Sequence, residues 1–208
     1  MSTLFDKNLL PEFESVKDDD EEIIWSDKPK LIPYVITGLG LGIGAIIFVA
    51  FYYAITMNVK NVDGTIGNFN WFFAALPLVL FLWEFFNKLL SYNNTRYAYT
   101  NKRIMVRTGF IGTDFKSIDY DKISDIEVTV NFVERAFNVG TIKFFSGRTE
   151  TNDGTTTKLY DKWEAIANPY EVFKRVKQIS VDIKTDYNYP NALRPHANPG
   201  YNTKYDRK

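Results

Sequence analysis

The chain has 208 residues, and its 25 Lys and Arg balance its 25 Asp and Glu, so the formal net charge is +0. This balance excludes the strong basic excess of nucleic-acid-binding proteins, and we expect no nucleic-acid partner. The chain contains no cysteine, which excludes disulfides, thiolate zinc sites and cysteine nucleophiles.

The first thirty residues are acidic, with nine acidic and four basic side chains. They include the run DDDEE at residues 18–22. Acidic runs without fixed geometry are typical of solvated segments, so residues 1–30 are predicted to be partly disordered. The apolar residues 23–25 that follow predict a segment approaching a membrane, with Trp25 at the interface.

Two long apolar runs, residues 31–57 and 69–90, are separated by only eleven residues. Each is long enough to cross the roughly 30 Å hydrocarbon core of a bilayer. Backbone polar groups in lipid must be bonded within the segment, so the runs predict two transmembrane helices that form an antiparallel hairpin. The acidic leader lacks the basic start of a signal peptide, and we expect the hairpin to be retained.

Positive charge flanks the hairpin on one side. Lys28 and Lys30 precede the first run, Lys88 and Arg96 follow the second, and the connection at 58–68 carries only one lysine. Cytoplasmic flanks of membrane helices are enriched in Lys and Arg. The sequence therefore predicts a multi-pass protein of the cell (inner) membrane, with cytoplasmic termini and an external loop.

Short alternating segments follow the second run. Rich in Val, Ile, Thr, Tyr and Phe and separated by turn residues, they predict an antiparallel sandwich or small barrel. The segments are residues 95–100, 103–108, 116–120, 124–130, 140–146 and 155–160.

One amphipathic helix is predicted after the strands. Pro169 suits its first position, and Val172, Val176 and Ile179 recur at helical spacing over about fifteen residues. Its apolar face should cover the open end of the sheet. The polar tail at 184–208, rich in Asn, Pro and Tyr, is predicted to be disordered.

A pattern of small and aromatic residues runs through the strand region. It comprises Tyr97, Thr100, Arg103 and Ile104, then Gly109, Ile118-Asp119-Tyr120, Ile123, Ile126, Arg135 and Gly140-Thr141-Ile142. This pattern resembles the bacterial pleckstrin-homology-like domain found beside membrane helices, and the resemblance covers about residues 20–183. It implies two nearly perpendicular antiparallel sheets closed by a C-terminal helix. The predicted fold class is therefore α+β: a transmembrane hairpin, then a pleckstrin-homology-like domain over residues 91–183.

Four glycines, Gly38, Gly40, Gly42 and Gly44, lie in the first apolar run. They form two overlapping G-x-x-x-G pairs, which allow close approach of another helix. An oligomerisation face is one interpretation. We favour packing against the hairpin's own second helix, with Ala74 and Ala75 as the small partners.

Glu84 lies within the second apolar run, four residues before Lys88. An ionisable residue in a membrane span is a candidate functional site. A Glu followed by Lys at this spacing pairs well on a helix, so we favour an interfacial ion pair over a proton or ion path.

Basic residues are concentrated near the first strands. Held near a bilayer, they are candidates for contact with anionic headgroups or a ligand, and a solvated strand face is the alternative. They are Arg96, Lys102, Arg103, Arg107 and Lys116.

The sequence offers little for catalysis. Its single histidine, His196, lies in the polar tail, so neither a metal cluster nor a Ser-His-Asp arrangement can be assembled. Phosphate-binding glycine loops are absent. We expect no enzyme activity, no cofactor and no metal, and the sequence identifies no small-molecule ligand.

Together these features predict a membrane-anchored adaptor or assembly module that binds a protein partner, itself or the membrane surface. Two alternatives remain. One is a small regulatory subunit of a transport or envelope complex, and the other is a sensor of anionic lipids.

Overall fold

The computed structural model describes residues 11–58 and 67–188. The predicted external loop therefore lies almost wholly outside the described residues, as does the tail from residue 189. The helices are α1 (Leu31–Gly38), α2 (Gly40–Asn58), α3 (Gly67–Asn94), α4 (Phe132–Ala136) and α5 (Pro169–Asn188). The strands are β1 (Ile23–Asp27), β2 (Arg96–Thr100), β3 (Arg103–Thr108), β4 (Asp114–Asp119), β5 (Asp125–Thr129), β6 (Val139–Asn152) and β7 (Thr155–Ala167).

Two antiparallel sheets form the domain. The first has the strand order β1-β2-β3-β4 and the second β5-β6-β7. All six predicted strands are present, although β6 and β7 are longer than predicted. They meet at a tight turn in which Asp153 and Gly154 have φ angles of 50° and 78°, as expected for an Asp-Gly hairpin turn.

The first strand was not predicted. Residues 23–27 pair with β2 instead of leading into a membrane, and the ring of Trp25 lies 5.6 Å from that of Tyr99 and 5.4 Å from that of Trp163. The expected interfacial position of Trp25 is therefore wrong. The domain begins before the apolar helices, which are inserted between its first two strands.

Trp163 lies at the centre of the core and is fully buried. It stacks on Tyr97 and Tyr99 and meets Phe144 edge-on at 4.8 Å, while α5 closes the core with buried residues that include Val172. Burial raises the pKa of Tyr99 to about 12. The closing helix was predicted, but it continues to Asn188, so residues 184–188 of the predicted tail are helical.

The first apolar run is broken, not continuous. α1 and α2 are separated at Leu39, and their axes differ by 52°. Among the described residues, one helix, α3 over Ala75–Asn94, is long and apolar enough to cross a membrane. If the bent pair of α1 and α2 is taken as a single span, the described residues contain two such spans.

Residues 11–22 of the acidic leader, which was predicted to be partly disordered, pack on the domain, and we call them the acidic segment. It starts with a 3-10 turn at Pro11–Phe13. Phe13 is fully buried against a small cluster of Ile23, Ala98 and Met105. Its burial fixes the segment on the first sheet, a contact between distant residues that composition does not reveal.

Candidate functional site

The base of the helices packs directly on the domain. The Lys30 N–H donates to the carbonyl of Ala165 at 2.9 Å, and the hydroxyls of Tyr34 and Thr95 lie 3.2 Å apart in a buried hydrogen bond. One apolar cluster joins α1 and α3 to the strands through buried residues that include Val139 and Ala165. We call this packed region the junction.

Lys88 belongs to the junction. Its Nζ lies 2.7 Å from Oε2 of Glu164 on β7 and 4.5 Å from the ring centroid of Tyr34. The predicted Glu84–Lys88 ion pair is therefore wrong. Spacing along one helix cannot reveal Glu164, which lies 76 residues further along the chain.

Glu84 instead accepts a hydrogen bond from the Gly42 N–H, with an N···O distance of 3.1 Å. Gly42 is in the first turn of α2, where backbone N–H groups have no acceptor within the helix. Glu84 therefore caps the second half of the broken first run from the neighbouring helix. This bond gives Glu84 a structural role.

The four glycines separate into two pairs. A Cβ on Gly38 would lie 2.5 Å from Lys88 Cε, and one on Gly42 would lie 2.3 Å from Phe81 Cδ2. Gly40 and Gly44 have no atom within 4 Å of the corresponding position. Thus two glycines pack against α3, with Phe81 and Lys88 as partners. Of the two predicted alanine partners, Ala74 lies outside the residues whose side chains are described.

Glu21 forms the best-buried ion pair of the acidic segment. Its carboxylate accepts from Arg103 Nη2 at 2.7 Å and Nε at 3.0 Å, and from Thr100 Oγ1 at 2.6 Å. Burial by itself would raise the Glu21 pKa, but hydrogen bonds from Arg103, Thr100 and the Asp18 N–H outweigh burial and lower the pKa.

Glu12 at the start of the segment bridges two further arginines. Its Oε1 lies 3.1 Å from Arg107 Nη1 and 3.8 Å from Arg96 Nε. Its Oε2 is buried without a hydrogen-bond partner. One carboxylate therefore faces two guanidinium groups, and these three groups together carry one net positive charge.

The other two predicted contact residues are also paired. Lys102 Nζ lies 2.5 Å from Asp20, and this hydrogen bond lowers the pKa of Asp20 and raises that of Lys102. Lys116 pairs with Asp161 on β7. All five basic residues, which we call the basic face, therefore have an acidic partner within the chain. Four of the five pair with the acidic segment, which covers most of this face. Local sequence patterns do not show these pairs, because the partners lie far apart in the chain, for example 82 residues for Arg103 and Glu21 and 45 residues for Lys116 and Asp161.

A groove of about 640 Å³ opens beside the first turn of α5, lined by residues that include Arg135, Asn138 and Tyr170. Asn138 and Asn168 have positive φ angles of 52° and 49°. No local sequence pattern predicts this groove, because its lining residues come from separate parts of the chain. Within the described part of the chain, no three His, Cys, Asp or Glu residues are placed to hold a metal ion.

A match to a family model identifies the family of the chain. The family model described as "Bacterial PH domain" matches residues 31–170. A similar solved structure is a DUF1696 family protein with a pleckstrin-homology domain from Shewanella loihica PV-4, with 11% identity and a TM-score of 0.36, covering 81% of this chain and 90% of that one. No curated protein matches the chain. The family match extends over more than half of the sequence, and the chain therefore belongs to the bacterial pleckstrin-homology domain family.

Proposed function

We propose that this protein is a membrane-anchored binding module, in which two apolar spans hold the pleckstrin-homology domain at the cytoplasmic surface for a protein partner. The junction carries this proposal. It fixes the domain to the helices through the backbone bond of Lys30, the buried Tyr34–Thr95 bond and the Lys88–Glu164 pair. A domain held in this way can search for a partner only near the membrane plane.

The helices above the junction support anchoring in lipid. Large apolar side chains project outward from both, with exposed fractions of 66% for Phe51 and 59% for Val79. Soluble monomers rarely expose contiguous apolar surfaces beyond a few hundred Å². The tilt of α1 against α2 is compatible with a broken first span, because Glu84 satisfies an N–H that the break leaves open.

The first sheet offers a place for the partner. β4 is its last strand and pairs with β3 alone, and its residues 114–117 are exposed. An exposed edge strand can accept an extended peptide as an additional strand. We therefore place partner binding at the β4 edge and propose binding, not catalysis, as the role of the domain.

The covered basic face favours an adaptor over a sensor of anionic lipids. Arg103 and Glu21 form a bidentate pair, and breaking such a buried pair leaves a charge uncompensated, which is costly. Lipid headgroups would have to displace the acidic segment to reach this arginine.

Single cysteines test the anchoring, because the chain has none of its own. D63C in the connection should react with a membrane-impermeant maleimide in intact cells. D121C, placed in the domain, should react only after permeabilisation, and both variants should resist alkaline carbonate extraction. Reaction of neither position in intact cells, or extraction of both, would refute the two-span arrangement.

Photo-crosslinking tests partner binding. p-Benzoylphenylalanine replaces Phe115, a 42% exposed residue of β4, and as a control Tyr187, a 69% exposed residue near the end of α5. Irradiated native membranes should give a defined adduct at position 115 and none at 187. The same yield at both positions, or none at 115, would contradict binding at the β4 edge.

A further inference from the structure

Two apolar features of the domain expose large side chains among the described residues. The first is the β3–β4 turn, whose Ile111 is 89% exposed and whose Phe110 is 40% exposed. The second is α4 and the residue after it, where Phe132 is 89% and Phe137 44% exposed. Isolated exposed apolar residues are ordinary, so their position relative to the spans decides whether these have a role.

The β3–β4 turn is attached to the end of α3. Asn94, the last residue of α3, donates from Nδ2 to the carbonyls of Gly109 at 3.1 Å and Gly112 at 3.3 Å. Gly109 has a φ of 148°, and a Cβ there would lie 2.3 Å from the Gly112 oxygen. The turn is thus a tight, fixed structure that holds Ile111 beside the point where α3 ends.

α4 lies near the same end of α3 as the β3–β4 turn. It packs against α1, and α1 runs antiparallel to the last turns of α3, since Tyr34 bonds Thr95 and Gly38 packs on Lys88. Asn94 and Lys88 are six residues, or about 9 Å of helix, apart. The polar layer of each leaflet is roughly 5–8 Å thick. If α3 spans the membrane, the level of its residues 88–94 therefore corresponds to this polar layer.

The outward face of α4 carries one aromatic and one basic side chain. Phe132 and Arg135 are three residues apart and both exposed, which places them on one face. The Arg135 guanidinium forms no ion pair with any residue that the structure describes. The acidic residue between them, Glu134, is turned inward, where it completes a capping box with Asn131 and accepts from Thr141.

We propose that the β3–β4 turn and α4 are two lipid contacts that seat the domain on the cytoplasmic leaflet beside its own spans. Ile111 and Phe132 enter the interfacial layer, and Arg135 faces the lipid phosphates. Such aromatic and basic pairs are typical of surfaces that lie in the plane of a membrane. This proposal rests on the two-span anchoring above. It assigns contact with lipid to different residues from the covered basic face.

Spin labels on single cysteines test it in the full-length protein, reconstituted in bilayers of phosphatidylethanolamine and phosphatidylglycerol. I111C and F132C probe the two contacts, and L80C on α3 reports whether the span is in lipid. D121C is the aqueous control, because β4 places it at the opposite end of the hairpin, roughly 20 Å from the turn. Collisions with oxygen, which concentrates in lipid, are compared with collisions with a water-soluble nickel chelate.

The expected result is an oxygen-to-nickel ratio that favours oxygen at positions 80, 111 and 132 and nickel at 121. If 80 favours oxygen while 111 and 132 match 121, the lipid contacts are refuted and the span stands. Low collision rates with both reagents at 111 and 132 would show a protein occupant and also refute lipid contact. If position 80 itself favours nickel, the anchoring fails and this inference fails with it.

Discussion

Replacement of Glu21 by alanine is the sharpest test of the acidic segment as a structural part of the domain. The side chain of Glu21 is 0% exposed in its ion pair with Arg103, and it also accepts from Thr100. Without Glu21, Arg103 keeps only the exposed Asp18 carboxylate 3.4 Å away, and removing one partner of a buried ion pair costs up to about 3–5 kcal/mol. We expect E21A to lower the free energy of unfolding by that amount.

Thermal unfolding of the detergent-solubilised chain, followed by tryptophan fluorescence, measures this effect. Trp163 is buried in the domain core, so its emission reports loss of the packed domain. For a domain of this size a loss of 3–5 kcal/mol corresponds to a decrease in Tm of roughly 10–20 °C. D19A is the matched control, because Asp19 is exposed in the same segment, and it should change Tm by less than about 2 °C.

A double replacement separates the ion pair from the packing. E21M/R103M removes both charges and keeps apolar volume, and such exchanges of whole pairs are often close to neutral. We expect the double variant to be clearly more stable than E21A. If E21A unfolds within about 2 °C of the D19A control, the ion pair does not hold the acidic segment and our reasoning is wrong.

Three further predictions concern the acid response, the helix packing and the junction. Because the pKa of Glu21 is lowered, the stabilisation of the domain by this carboxylate is complete above the ordinary glutamate pKa and is lost as the pH falls through the lowered value. E21Q should therefore flatten the acid limb of a curve of Tm against pH. An unchanged acid limb would contradict this. G42L should lower Tm in detergent by colliding with Phe81, whereas G44L, which meets open space, should not; an equal loss in both would indicate an oligomerisation face. K88M removes a partly exposed ion pair and should cost no more than about 1 kcal/mol, so a loss as large as that of E21A would show that the junction depends on this pair.

The elements that sequence analysis predicted are those with a local cause. Alternation of buried and exposed residues marks a strand, so β2 to β7 could be located from the chain alone. Pro169 and the spacing of Val172 and Val176 placed the closing helix for the same reason. Gly109 and the Asp-Gly turn are also local, because a positive φ is a property of a single residue.

The features that were missed or predicted wrongly depend on partners far away in the chain. β1 is only five residues long, and what makes it a strand is β2, which follows the whole helical insertion. Lys88 has two acids in reach, and the fold, not the helix spacing, selects Glu164.

The sequence by itself determined that this chain carries long apolar helices beside a β domain, because the length and the period of an apolar pattern depend only on neighbouring residues. Only the tertiary structure decided which charges meet. An acidic run such as residues 18–22 is soluble when alone, and it becomes part of a folded domain only where Phe13 and Arg103 provide burial and opposite charge. The cost of burying Glu21 is offset by contacts that no local pattern encodes.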